Sequence, residues 1–292
     1  MLIEAFHLLS LGFYMKKIAL LLALGVSVAG LSACGGGSGE KTTTTTVNES
    51  LPNNQAIDTG SASNPFMASA NGIGFIVAAL GTRTTGIGTK ATSFPFTQTA
   101  DGAFTTLSSF SLTGNPSAVQ NISGDASYAL GRWSYGTVEQ NAVSIGTMNQ
   151  STNAFWHYIA FNFLTTLPTS GTYTCNSGTF TEPSFTGSQT TAEVSPLFLG
   201  SSTGVASLAF GSAGANISVT ITTTVGSSGG ASAINTTINS ARSFTTISSP
   251  SMAVVALGDA GNGAIRIVGL YNTTVGTAGN KYQGIFQFSC QP

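Results

Sequence analysis

The stretch NISVTITTTV, residues 216–225, sets the strongest constraint on what this chain can fold into. Ile217, Val219 and Ile221 alternate with Ser218, Thr220 and Thr222, and a period of two sends successive side chains to opposite faces of an extended strand. One face is apolar and the other hydroxylated. In FWHYIAFNF, Phe155, Ile159, Phe161 and Phe163 share a face, as do Phe286, Phe288 and Cys290 in GIFQFSC. GFIVAAL (Gly74 to Leu80) and MAVVALG (Met252 to Gly258) are uninterrupted apolar runs, which suit strands covered on both sides. No 12-residue window carries a 3.6-residue period. Clusters of Gly, Ser, Asn and Thr separate the runs, the rhythm of antiparallel β structure. The fold class expected is all-β and antiparallel.

Turn chemistry agrees. GDAGNG (Gly258 to Gly263) reads as a hairpin loop with glycines for positive φ. NTTVGTAGNK (Asn272 to Lys281) reads as a longer loop before the last strand. GTRTTGIGTK (Gly81 to Lys90) has the lysine on the wrong side of its Gly-Thr for a phosphate loop, so it reads as a glycine-rich turn.

Charge narrows the function. Only 7% of the 292 residues are charged, nine basic against ten acidic. No basic patch marks a nucleic-acid binder, and nothing points to steering of acidic substrates or anionic membranes.

The N-terminal region reads as an address. From Met15, Lys16 and Lys17 precede an apolar run of 13 residues, Ile18 to Gly30, too short for the roughly 20 residues that span a bilayer. It reads as an export signal. Leu31-Ser32-Ala33-Cys34 resembles the bacterial lipobox, which implies lipidation (diacylglyceryl, then palmitate or a similar acyl chain) at Cys34 and cleavage before it. More than one acyl chain gives stable anchoring where a single one is marginal. Residues 15–33 are therefore expected to be a lipoprotein signal peptide. Residues 1–14, whose only charge is Glu4, are expected to be an extension ahead of the true start. Gly35 follows the cysteine, and in Gram-negative lipoproteins the absence of Asp there implies the outer membrane. Residues 34–64 are polar and of low complexity, and read as a flexible linker.

Two cysteines remain, Cys175 and Cys290. In an exported chain an even pair is expected to form a disulfide, the alternative being two separate buried thiols. Closing so long a loop is worth roughly 4–5 kcal/mol on the chain-entropy model.

ALGRWSYGTV (Ala129 to Val138), FWHYIAF (Phe155 to Phe161), LPTSGTYTC (Leu167 to Cys175), GVASLAFGSAGANISVTI (Gly204 to Ile221) and AIRIVGLY (Ala264 to Tyr271) follow one another in that order. This succession resembles transferrin-binding-protein-B-like surface lipoproteins. The resemblance implies an eight-stranded lipocalin-like barrel, expected over residues 129–292. The stretch Phe66 to Gly124 has no counterpart in it, and 65–128 is expected to be an N-terminal β region of additional strands or a small packed subdomain. It carries no partner-binding residues, so transferrin binding is not implied.

Little else reads as chemistry. His157, the one histidine after the signal, shares a face with Phe155 and Ile159 and is expected to point inward and hydrogen-bond a neighbour. Asp101, Asp125, Glu139, Glu182, Glu193 and Asp259 are scattered, with no acid/base pair evident. Arg132 and Trp133 read as a cation–π or packing corner. Arg266, alone in an apolar strand, must face solvent or pair with a carboxylate. No catalytic residue, cofactor or metal site is expected, and the chain is not expected to be an enzyme. The expected function is binding or adhesion by a lipid-anchored outer-membrane or cell-surface protein. Its partner would be a host or envelope protein or a small apolar ligand. The alternative is a structural or assembly lipoprotein facing the periplasm.

Overall fold

A computed structural model describes residues 57–78, 84–90, 95–149, 155–186, 200–248, 252–277 and 279–292. Cys34, the signal segment, most of the linker and Glu193 lie outside the described residues. Within them every regular element is a strand and every named strand pairing is antiparallel.

Eight strands build the first sheet: β1 (Ile73–Ala78), β2 (Thr84–Lys90), β3 (Phe96–Gln98), β4 (Phe104–Leu107), β5 (Phe110–Asp125), β6 (Tyr128–Gln140), β7 (Val143–Asn149) and β8 (Trp156–Asn162). Their order is β2-β1-β8-β6-β5-β4-β3, with β7 also paired to β6. The second sheet holds ten: β9 (Gly171–Cys175), β10 (Thr179–Phe180), β11 (Ser184–Phe185), β12 (Gly200–Gly211), β13 (Gly214–Val225), β14 (Ser228–Ile238), β15 (Phe244–Ile247), β16 (Ala253–Gly261), β17 (Ala264–Val275) and β18 (Asn280–Gln291). Their path is β14-β13-β12-β9-β18-β17-β16-β15, with β10 and β11 added along β18. Each sheet curls into a half-barrel.

Side-chain alternation sorts the core into three clusters. In β8, Trp156, Tyr158 and Ala160 enter the core inside the first sheet's curl, while Ile159 and Phe161 face the second sheet. In β16, Val255 and Leu257 enter the second sheet's own core, while Val254 and Ala256 face the first sheet. The two sheets thus lie back to back over a shared apolar layer of Ile76, Leu130, Ile159, Phe161, Val268 and Ile285. This is why GFIVAAL and MAVVALG are continuous apolar runs: their strands are buried on both faces. Each Val, Leu, Ile or Phe so placed is worth about 1.5–3 kcal/mol when fully buried.

Glycines recur opposite aromatics. Gly74 pairs with Phe161, Phe75 with Gly88, Gly131 with Tyr158, Gly269 with Phe286, and Tyr271 with Gly284. In each pair the ring lies where a Cβ on the glycine would stand, so the glycine clears space for the ring and the ring covers the bare backbone.

Several expectations are corrected. The sheets do not divide at residue 129. Ala129 sits inside β6, hydrogen-bonded between β5 and β8, and the chain passes to the second sheet between Asn162 and Gly171. The Gly-Arg-Trp and His-Tyr strands therefore belong to the first sheet and LPTSGTYTC opens the second. The linker does not reach Asn64. The Ile122 N–H donates to the Thr59 carbonyl and the Thr59 N–H to the Val119 carbonyl, the Asp58 carboxylate accepts the Val119 N–H at 2.7 Å, and the Ser63 N–H donates to the Gly124 carbonyl. Thr84 to Lys90 is a strand rather than a turn, because Gly88 lets Phe75 lie across it. The loop expected at Asn272 to Lys281 shrinks to residues 276–279, since β17 and β18 pair out to Val275 and Asn280. The hairpin at GDAGNG stands, with Gly261, Asn262 and Gly263 all at positive φ.

Candidate functional site

Polar side chains collect at the margin of the layer between the sheets, around two buried arginines. Arg132 comes from β6 and is 1% exposed. It donates to Glu182 Oε2 at 2.6 Å and to Gln120 Oε1 at 2.8 Å, and its guanidinium lies 4.3 Å above the Phe155 ring. Its Nε and a second terminal nitrogen have no partner. Burial lowers its pKa to about 10, with Glu182 opposing the shift. Trp133 takes no part, correcting the expected Arg-Trp corner. Adjacent strand residues face opposite ways, and Trp133 instead lies in the first core, donating to the Phe104 carbonyl at 2.7 Å.

Arg266 comes from β17 and pairs with a carboxylate, resolving the alternative left open by the sequence. It donates to Asp125 Oδ2 at 3.0 Å and to Ser127 Oγ at 2.9 Å, and also bonds Gln287. The guanidinium stacks 3.9 Å from the Tyr128 ring. Burial lowers its pKa and Asp125 opposes that. Both carboxylate partners, Glu182 and Asp125, stay 39% exposed. Each pair therefore puts its cation inside and leaves its anion at the rim.

Between these clusters runs a strap, Thr179 to Phe185, that contains β10 and β11. It lines the edge of β18 that β9 leaves open, because β9 meets β18 only at Cys175 with Cys290 and Thr174 with Gln291. Phe180 packs on Phe286 and Phe288, and Phe185 on Tyr282. The polar residues between them turn to the first sheet. His157, fully buried on β8, lies 2.8 Å from Thr181 Oγ1 through Nδ1 and 2.8 Å from Ser184 Oγ through Nε2. Its inward placement and hydrogen-bonded ring match the sequence reading. Burial first, and Arg132 second, hold its pKa well below the usual histidine value.

A serine hydroxyl at hydrogen-bond distance from a histidine is the geometry of an activated nucleophile. Here Ser184 is 1% exposed and His157 0%, so no substrate reaches them. Nδ1 is met by a threonine rather than an orienting carboxylate. The pair serves to join the sheets.

Cys175 and Cys290 form a disulfide at 2.05 Å. They face each other in the two-residue ladder between β9 and β18, so the covalent bond reinforces one of the second sheet's shortest ladders. Among the described residues no three His, Cys, Asp or Glu side chains converge as metal ligands.

Outside these clusters, β12, β13 and β14 present an outer face lined mainly by small and hydroxylated side chains. Rows run across the three strands in register: Thr203, Thr222, Ala231; Val205, Thr220, Ala233; Ser207, Ser218, Asn235. Residues 194–241 contain no charged residue. The outer positions of β13 are exposed and its inner ones buried, in strict alternation from Ala215 to Val225.

The fold and these clusters define an all-β protein of two back-to-back half-barrels joined by buried arginine pairs. Comparisons with family models, with curated proteins and with solved structures each found no match.

Proposed function

We propose that this chain is a lipid-anchored binding protein of the bacterial outer membrane or cell surface. Cys34 carries the lipid, and the second sheet, which holds three of the five stretches that resemble transferrin-binding-protein-B-like lipoproteins, is a lipocalin-like barrel, the Gly-Arg-Trp and His-Tyr strands lying outside it in the first sheet. The observation that carries this reading is the register of Lys16-Lys17, the apolar run and Leu31-Ser32-Ala33-Cys34. Support for the barrel comes from the eight-strand path of the second sheet, whose end strands β14 and β15 approach one another. Leu208, Ile217, Val219, Phe286 and Phe288 fill its interior, which favours a partner held on the outside. The uncharged outer face of β12 to β14 suits recognition by shape rather than by charge steering.

The test is metabolic labelling with palmitate, with and without inhibition of lipoprotein signal peptidase. Wild type is expected to take up label and to accumulate as an uncleaved precursor under inhibition. Cys34→Ser should take up none. An unlabelled wild type would overturn the reading. Protease treatment of intact cells then separates a surface binder, which is cut, from a periplasmic assembly protein, which is cut only after lysis.

A further inference from the structure

We propose that His157 and the strap form an acid-sensitive latch, in which acidification favours a form with residues 181–184 swung off β8 and the edge of β18 uncovered.

The strap is anchored at both ends and bridged in the middle. Phe180 and Phe185 are its apolar anchors on β18. Between them, Thr181 and Ser184 bind His157, the Glu182 carboxylate binds Arg132, and the Glu182 N–H donates to Asn121 Oδ1 at 3.0 Å. The arc from Thr181 to Ser184 thus makes these polar contacts to the first sheet, while its Thr181 N–H donates to the Ile285 carbonyl on β18 at 3.0 Å.

Proton counting shows why the latch suits a neutral ring. Thr181 Oγ1 already accepts the Ile285 N–H at 2.9 Å, and its own proton has two acceptors in reach, Nδ1 at 2.8 Å and the Ile285 carbonyl at 3.4 Å. The shorter contact assigns that proton to Nδ1, which leaves Nε2 carrying the ring proton and donating to Ser184. A second ring proton would turn Nδ1 into a donor, which the Thr181 oxygen could accept beside the Ile285 N–H only by turning its own proton away. Thr181 would then have to rotate to the longer contact.

The surroundings offer the new charge no compensation. The charged groups that face this region among the described residues are Arg132, directly opposite His157 on β6, and Glu182 on the strap. Glu182 is already bonded to Arg132. The other neighbours are neutral: Ala78 on β1, Gln120 and Asn121 on β5, and Gln283 and Ile285 on β18. A histidine held neutral when the strap is closed, and free to charge when it is open, makes opening proton-linked.

The test is hydrogen exchange on the full chain at pH 7.4 and 5.0, corrected for intrinsic rates and read at the amides of Thr181, Glu182 and Ile285. With an ordinary histidine pKa in the open form, the opening equilibrium is expected to rise by up to about 30-fold over this range. His157→Gln, which keeps a donor and an acceptor but does not titrate, should abolish the rise. Unchanged protection in wild type would overturn the latch, as would an equal rise in His157→Gln, which would assign the effect to carboxylates. Should that variant fail to fold, an NMR titration of the imidazole in His7→Gln full chain decides. The closed form should keep a neutral ring down to pH 5, and ordinary titration near 6.5 with no change at the strap would refute the proposal.

Discussion

Tyr158 on β8 lies across Gly131, its cross-strand partner on β6, so closely that a Cβ on the glycine would come within 2.6 Å of Tyr158 Cζ. The same ring edge-packs on Phe104, and its hydroxyl accepts the Phe104 N–H at 3.0 Å. The glycine is thus what allows the tyrosine to reach from β8 to β4 across the first core.

Gly131→Ala is therefore expected to destabilise, against the usual sense of Gly-to-Ala in a strand interior, by about 1–3 kcal/mol through overpacking. Urea midpoints report it. Tyr158→Phe keeps the packing but orphans the buried Phe104 N–H, a loss of about 1–3 kcal/mol. A neutral Gly131→Ala would mean that the ring has room to move.

The disulfide should matter more than a staple at an already continuous ladder would. Breaking it with Cys175→Ser and Cys290→Ser together is expected to lower unfolding free energy by about 4–5 kcal/mol, from the 115-residue separation. Local exchange should rise at the Asn176 amide, which donates to the Ser289 carbonyl. Denaturant unfolding with and without reductant gives the first value. An unchanged midpoint would show that β12 and the strap hold β9 without the bond.

The arginine pairs are expected to respond asymmetrically. Asp125→Ala leaves the Arg266 guanidinium buried with Ser127, Gln287 and the Tyr128 ring for company, a loss of about 3 kcal/mol. Arg266→Met removes the buried charge and leaves a carboxylate that water already reaches, so it should cost less than half as much. Thermal unfolding of the two variants decides, and equal losses would contradict the cation-in, anion-out arrangement.

Global stability should carry the sign of His157. Its folded pKa lies well below the unfolded value of 6.5. Its contribution is therefore fully present above that value and lost as pH falls below it. The loss reaches at most about 2 kcal/mol at pH 5. Denaturant midpoints of wild type should fall between pH 6.5 and 5 more steeply than those of His157→Gln. Parallel slopes would mean that the ring does not stay neutral in the fold.

Much of the fold was legible in local pattern. The alternation of Ile217, Val219 and Ile221 gave β13 and its exposed face, and the unbroken runs at Gly74 and Met252 marked strands covered twice. What local pattern does not carry is register between distant segments. Arg266 reads as an isolated charge because Asp125 lies 141 residues away in sequence. The meeting of the sheets after β8 is invisible for the same reason, since β6 looks alike whichever neighbour it bonds. Gly88 resembled turn chemistry because the ring that needs it, Phe75, sits on another strand. The role of His157 was half visible: its face followed from periodicity, while Thr181 and Ser184 were found only once the strap was folded against it.

The glycine–aromatic pairs have a consequence for how such a sequence changes over generations. Neither member can be replaced singly without a clash or a void, so the two should be inherited together or exchanged together. Gly269 with Phe286 and Tyr271 with Gly284 show the same exchange of roles one step along a single hairpin. In a set of descendants these positions would be joined in covariation while each taken alone looks variable.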